Sequence, residues 1–136
     1  TVDDLSGTWS GEWTWKRSEM GAAYSGPITL VMKRIDAKTW NVDLTVPKSS
    51  VPNDRIVLNL EETSPTQLSG EYQGGTMKIT LAPAGNGESR IEMALGHPQV
   101  GKAEGQGQAS TDHIRMNYTE SMYEGGGSIV LERKKG

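Results

Sequence analysis

The sequence lacks cysteine entirely and has no phenylalanine. Without cysteine there is no disulfide framework, no thiolate nucleophile, no redox pair and no cysteine-based zinc or iron–sulfur site. Long apolar runs are missing too. No stretch approaches the roughly 18 residues that a membrane-spanning helix requires. Basic excess is absent: 14 Lys and Arg stand against 17 Asp and Glu, for a formal charge of -3. That balance argues against a phosphate-binding footprint, so nucleic acid is not an expected partner. Apolar residues make up only 34% of the 136 residues. The core must therefore be thin and economical, as it is inside a closed sheet.

What the chain does hold is 4 Trp, 4 Tyr, 6 Met and 17 Gly. Their spacing decides the fold class. Trp9, Gly11, Trp13 and Trp15 alternate with Thr8, Ser10, Glu12 and Thr14, a period of two that marks a strand. The same alternation recurs in Ile28-Leu30-Met32, Trp40-Val42-Leu44-Val46, Ile56-Leu58-Leu60, Leu68-Gly70-Tyr72 and Met77-Ile79-Leu81. It continues through Ile91-Met93-Leu95, Gly105-Gly107-Ala109, Ile114-Met116-Tyr118 and Ile129-Leu131. Turn clusters such as Gly74-Gly75 and Pro83-Ala84-Gly85-Asn86-Gly87 lie between them. No window shows a helical period. The expected fold is all-β: one antiparallel up-and-down barrel of about 8–10 strands, in a single domain over residues 1–136. Closure follows because one face of nearly every strand is apolar, and because closing the sheet removes its edges.

Alternate connections of such a barrel fall at the same end. One end collects residues 17–26, 47–54, Gly74-Gly75, 96–102 and 119–127, most of them long; the other collects the shorter 34–38, 61–66, 82–88 and 110–112. This describes a cup with a mouth and a floor. Trp9 and Trp40 then plug the floor, Trp13 lies midway, and Trp15, Tyr72 and Tyr118 lie high. Tyr24, His97, Met122 and Tyr123 fall in the rim loops.

The expected ligand-binding set is Trp13, Trp15, Tyr24, Tyr72, Met77, Met93, Met116, Tyr118 and Tyr123. Flat aromatics with a polar handle and adaptable thioethers suit a small, partly apolar molecule. Gly105 and Gly107 leave either a void for that ligand or a place for the strand to bend; a third possibility turns Glu104, Gln106 and Gln108 inward. Should the cup be an enzyme, a cyclase or isomerase that folds a hydrophobic substrate, its acid–base candidates are Tyr72, Tyr118, His97 and a rim glutamate such as Glu19, Glu120 or Glu124. A third reading is an interaction module that docks through the rim, with Tyr24 and Tyr123 exposed and the interior filled. His97 and His113 have no metal-ligand spacing, so neither metal nor cofactor is expected. The partner is a small molecule, with a homodimer left open. The chain opens on Thr1 rather than Met. The expectation drawn from this is a periplasmic or secreted protein, the cytoplasm being the alternative.

The opening Leu5-Ser6-Gly7-Thr8-Trp9 resembles the Gly-x-Trp start of lipocalins and related calycin barrels, where the Trp closes the floor. Together with Ser69-Gly70-Glu71-Tyr72-Gln73-Gly74-Gly75 it is also similar to two segments of avidin-type biotin binders. The sequence departs from that family where the ligand is read: Leu68 and Pro98 stand where the family has a Trp and an Asp, so biotin is not expected. The layout further resembles small secreted barrels of uncharacterised type, which end in Gly-Gly and Leu-x-Arg, here Gly126-Gly127 and Leu131-Glu132-Arg133.

Overall fold

A computed structural model of the chain describes residues 2–17, 23–46, 55–72, 74–97, 101–121 and 124–134, with only the backbone of Arg17, Tyr72 and His97. Ten strands run through the described residues: β1 (Gly7–Arg17), β2 (Ala23–Arg34), β3 (Thr39–Thr45), β4 (Arg55–Ser64), β5 (Gln67–Tyr72), β6 (Gly75–Gly85), β7 (Glu88–His97), β8 (Gly101–Ala109), β9 (His113–Glu120) and β10 (Gly125–Arg133). Each pairs antiparallel with its sequence neighbours, and β1 pairs with β10, so the sheet is one closed up-and-down barrel. Every segment of two-residue alternation found in the sequence became one of these strands. The alternation also sets the faces. Glu12, Glu71, Glu92 and Glu132 are exposed, whereas Ile28, Leu60, Leu68, Leu81 and Ile114 are buried.

The floor is the better-packed end. Trp9 and Trp40 are both 0% exposed, and among the described residues no polar side chain is buried with them. Each ring is covered by an arginine from the position directly across the ladder. Arg133 lies 4.2 Å over Trp9 and Arg34 lies 4.8 Å over Trp40. A guanidinium over an indole face is attracted by the ring quadrupole and keeps its polar edge in water. Those edges are engaged as well. Arg34 bridges Asp3 at 2.5 Å and Glu62 at 2.6 Å, while Arg133 donates to the carbonyls of Asp4, Ser6 and Thr111.

A short 3₁₀ turn, Val2–Leu5, lies across this end, and both its apolar residues are buried. At three residues per turn Val2 and Leu5 point the same way, into the barrel. The Val2 N–H donates to the Pro65 carbonyl at 2.8 Å, and the Leu5 carbonyl accepts the Trp9 indole N–H at 2.9 Å. A residual pocket of about 30 Å³ beside Leu5, Leu81 and Ala109 has room for a single water.

Two sequence expectations need correction. The connections at 17–26, 61–66, 82–88, 96–102 and 119–127 are shorter than expected, because β2 already begins at Ala23, β4, β6 and β7 run on nearly to their turns, β8 begins at Gly101, and β9 and β10 reach Glu120 and Gly125. Beyond the core both faces of a strand are polar, so the alternation fades while backbone pairing continues. The β6–β7 connection is reduced to Asn86-Gly87, both at positive φ (54° and 76°), as a two-residue hairpin turn requires.

The inward glycines of β8 do not leave a void. A Cβ on Gly105 would meet the Met116 thioether at 2.8 Å, and one on Gly107 would collide with the Arg115 carbonyl. These glycines let the strand approach its neighbour closely and let Met116 fill the space. Glu104, Gln106 and Gln108 are exposed, which excludes the inward polar wall.

This packing predicts unequal costs for two tryptophans on one strand. Trp9→Ala should lower the unfolding free energy by about 3–5 kcal/mol, and Trp13→Ala, at a residue only partly buried, by roughly half as much. Urea denaturation measures both. Equal losses would contradict a sealed floor beneath a less buried upper interior.

Candidate functional site

Inward-facing side chains grow more accessible towards the end opposite the 3₁₀ turn. On β3 the order is Trp40 and Val42 buried, then Leu44 half-buried, as is Val46 just past the strand's end. β4 gives Leu60 and Leu58 buried, then Ile56 half-buried; β6 gives Leu81 and Ile79, then Met77; β7 gives Ile91, then Met93 and Leu95; β10 gives Leu131, then Ile129. Leu30 on β2 is out of order, being more exposed than Ile28 above it. The upper half therefore has an apolar lining of Leu44, Ile56, Met77, Met93 and Ile129, with Trp13 packed against the same core.

Trp13 and Trp15 project from β1 into this region, each seated on a glycine of a different neighbouring strand. Trp13 lies opposite Gly26 of β2, where a Cβ would stand 3.1 Å from Nε1. Trp15 lies against Gly125 of β10, where a Cβ would stand 2.6 Å from Nε1. Its indole N–H donates to Glu120 at 3.2 Å, and the same carboxylate oxygen accepts the Gly125 backbone N–H at 2.9 Å. Tyr24, opposite Trp15 on β2, stacks beside it with ring centroids 5.6 Å apart at 36° and is 55% exposed. It belongs to a strand rather than to a rim loop.

Tyr118 turns inward from β9, above Met116. Its hydroxyl donates to the Thr14 carbonyl at 2.7 Å, reaching across Gly127 of the intervening β10. A Cβ on Gly127 would strike that same carbonyl, so the glycine is what permits the approach. Thr14 replaces part of the ladder with its side chain: its hydroxyl accepts the Ser128 N–H and pairs with the Ser128 hydroxyl, both at 2.9 Å. Burial, and secondarily the charge of Glu120, pushes the Tyr118 phenol up to about 12. A phenol that holds its proton so firmly works as a hydrogen-bond donor near neutrality rather than as a proton shuttle.

Of the nine expected ligand contacts, the structure brings Trp13, Trp15, Met77, Met93 and Tyr118 to the upper interior and leaves Tyr24 exposed at its edge. Met116 lies deeper, at 8% exposed. Tyr72 and His97 occupy strand positions in β5 and β7, their side chains outside the described set, and Tyr123 and Met122 lie outside the described residues. Sequence reasoning missed Glu120 as the partner of Trp15. It placed the glutamate beside a rim loop, whereas the alternation Ile114-Met116-Tyr118, extended one step, would have turned it inward. No group of three or more potential metal ligands clusters among the described residues.

The Tyr118 environment carries a pH signature. In the unfolded chain the phenol ionises near 10, and in the barrel it keeps its proton to about 12. The stabilisation from keeping it neutral is complete below pH 10 and is lost as pH rises towards 12. Wild type should therefore lose stability relative to Tyr118→Phe over that window, as read by urea midpoints at pH 9 and 11.5. Parallel curves would show that the phenol is not held in a proton-retaining environment.

No protein-family profile and no curated protein matches the chain. In structure it is similar to Rv2717c from M. tuberculosis, with a TM-score of 0.72 and 13% identity over 98% of this chain and 95% of that one. It is also similar to a mutant of the fluorescent protein UnaG, with a TM-score of 0.52 and 11% identity over 100% of both chains. At such identities the likeness is one of fold alone.

Proposed function

We propose that the upper half of the barrel interior binds a small, partly apolar molecule. The observation that carries this reading is the accessibility gradient. Apolar side chains that face inward are sealed at the floor, yet Leu44, Ile56, Met77, Met93 and Ile129 stay half-exposed towards the other end. Inward apolar surface within solvent's reach is the usual lining of a ligand site, here bordered by the rings of Trp13, Trp15 and Tyr118, whose polar atoms lie against Gly26, Glu120 and the Thr14 carbonyl. The floor, with two tryptophans under two arginines, gives that site a rigid base.

The cyclase or isomerase reading would need a group poised to move a proton; Tyr118 is held in its protonated form, and the side chains of Tyr72 and His97 lie outside the described set. The docking reading fits the exposure of Tyr24 but requires a filled interior.

Titration of tryptophan fluorescence with lipophilic and aromatic compounds tests the proposal. Saturable quenching or a spectral shift is expected, carried by Trp13 and Trp15, with Trp9 and Trp40 silent. Trp13→Ala should weaken the response roughly tenfold, about 1.4 kcal/mol of lost contact. A panel that leaves the emission unchanged throughout would point to a filled interior and remove the proposal.

A further inference from the structure

The four indole N–H groups have unequal fates. Trp9 donates to the Leu5 carbonyl, Trp40 to Glu62 at 3.2 Å and Trp15 to Glu120 at 3.2 Å. The Trp13 N–H is buried and has no acceptor, the one such side-chain atom among the described residues. Buried donors are nearly always paired, and a lone exception calls for a physical reason. Here it falls on the ring that borders the half-exposed apolar lining.

The seat of that ring supplies the reason. Trp13 rests on the bare backbone of Gly26, with Nε1, Cε2 and Cζ2 at 3.1, 3.4 and 3.5 Å from where a Cβ would be. Only packing holds the indole there, because its one polar atom gains nothing from the seat. An indole nitrogen can donate but not accept, so only an acceptor can satisfy it. The charged inward-facing side chain described in this half is Glu120, a carboxylate that accepts the Trp15 and Gly125 N–H groups and has no donor to offer an anionic ligand.

Building on the binding site proposed above, we infer that Trp13 is the donor that reads the ligand. The ring turns off Gly26 as the ligand enters, and its N–H is given to a neutral carbonyl-type acceptor on an otherwise apolar, flat body. The ligand class is thus a neutral aromatic or polyene-like molecule bearing a ketone, ester or amide oxygen, rather than a plain hydrocarbon or a carboxylate.

The test uses the full chain, labelled with ¹⁵N, and three probes of one shape: 2-acetylnaphthalene, its hydrocarbon counterpart 2-isopropenylnaphthalene, and 2-naphthoate. The four indole N–H resonances report on the four tryptophans, and Trp13→Phe identifies its own by deletion. The ketone should bind about five- to tenfold more tightly than the other two and shift the Trp13 resonance downfield. Trp9 and Trp40 should not move, which also shows that the fold is kept. In Trp13→Phe the ketone's advantage over the hydrocarbon should vanish. If ketone and hydrocarbon bind alike and the Trp13 resonance does not respond, the donor assignment is wrong while the binding site stands. Tighter binding of 2-naphthoate would overturn the neutral-ligand assignment. Failure of every probe to bind or to perturb an indole resonance would overturn both the assignment and the site beneath it.

Discussion

The structure depends on β1 closing against β10. Ten antiparallel strands in a row would leave two edges of unpaired backbone, and a chain this poor in apolar residues has little surface with which to cover them. Pairing the first strand with the last removes both. The seam is also where most of the functional geometry converges. Trp9 lies opposite Arg133 at its lower end, and Trp13 lies opposite Ile129 midway. Between Trp13–Ile129 and Lys16–Gly126 the backbone ladder gives way to the Thr14 and Ser128 side chains, and the Thr14 carbonyl goes to Tyr118. Three strands are pinned together there by polar groups, directly above the apolar core.

That arrangement accounts for the composition. A barrel needs only one apolar face per strand, so a modest number of Leu, Ile, Val and Met residues suffices. The bulk that phenylalanine would supply comes from tryptophan, and at Trp9, Trp40 and Trp15 the indole N–H is also used. At the floor it ties Trp9 to the 3₁₀ turn and Trp40 to the Arg34–Glu62 pair. Higher up it joins Trp15 to Glu120. An aromatic without the polar handle would fill these places and leave the contacts unmade.

Fold class, strand positions and the buried place of Trp9 and Trp40 were legible in the sequence, because period-two alternation writes both the strand and its buried face. Depth was less legible. Met93 and Met116 look alike in the pattern, yet one lines the half-exposed upper interior and the other fills the space left by Gly105. Strand ends were missed for a related reason: past the core the inward face is no longer apolar, so Ala23–Gly26 read as loop. Glycine was the most ambiguous residue. Gly105 and Gly107 allowed either an empty wall or a bend and prove to be points of close approach, whereas the glycines that receive the two upper indoles are Gly26 and Gly125, on other strands. Which glycine faces which ring depends on register, and register is not written in a single strand.

The central claim is that the barrel is sealed at one end and accessible from the other. The methionine methyl groups grade that depth, with Met32 and Met116 buried and Met77 and Met93 half-exposed. A small neutral nitroxide added to methyl-labelled protein should broaden the Met77 and Met93 signals while leaving Met32 and Met116 sharp. If Met77 and Met93 prove as well protected as Met32, the upper interior is closed and the account fails.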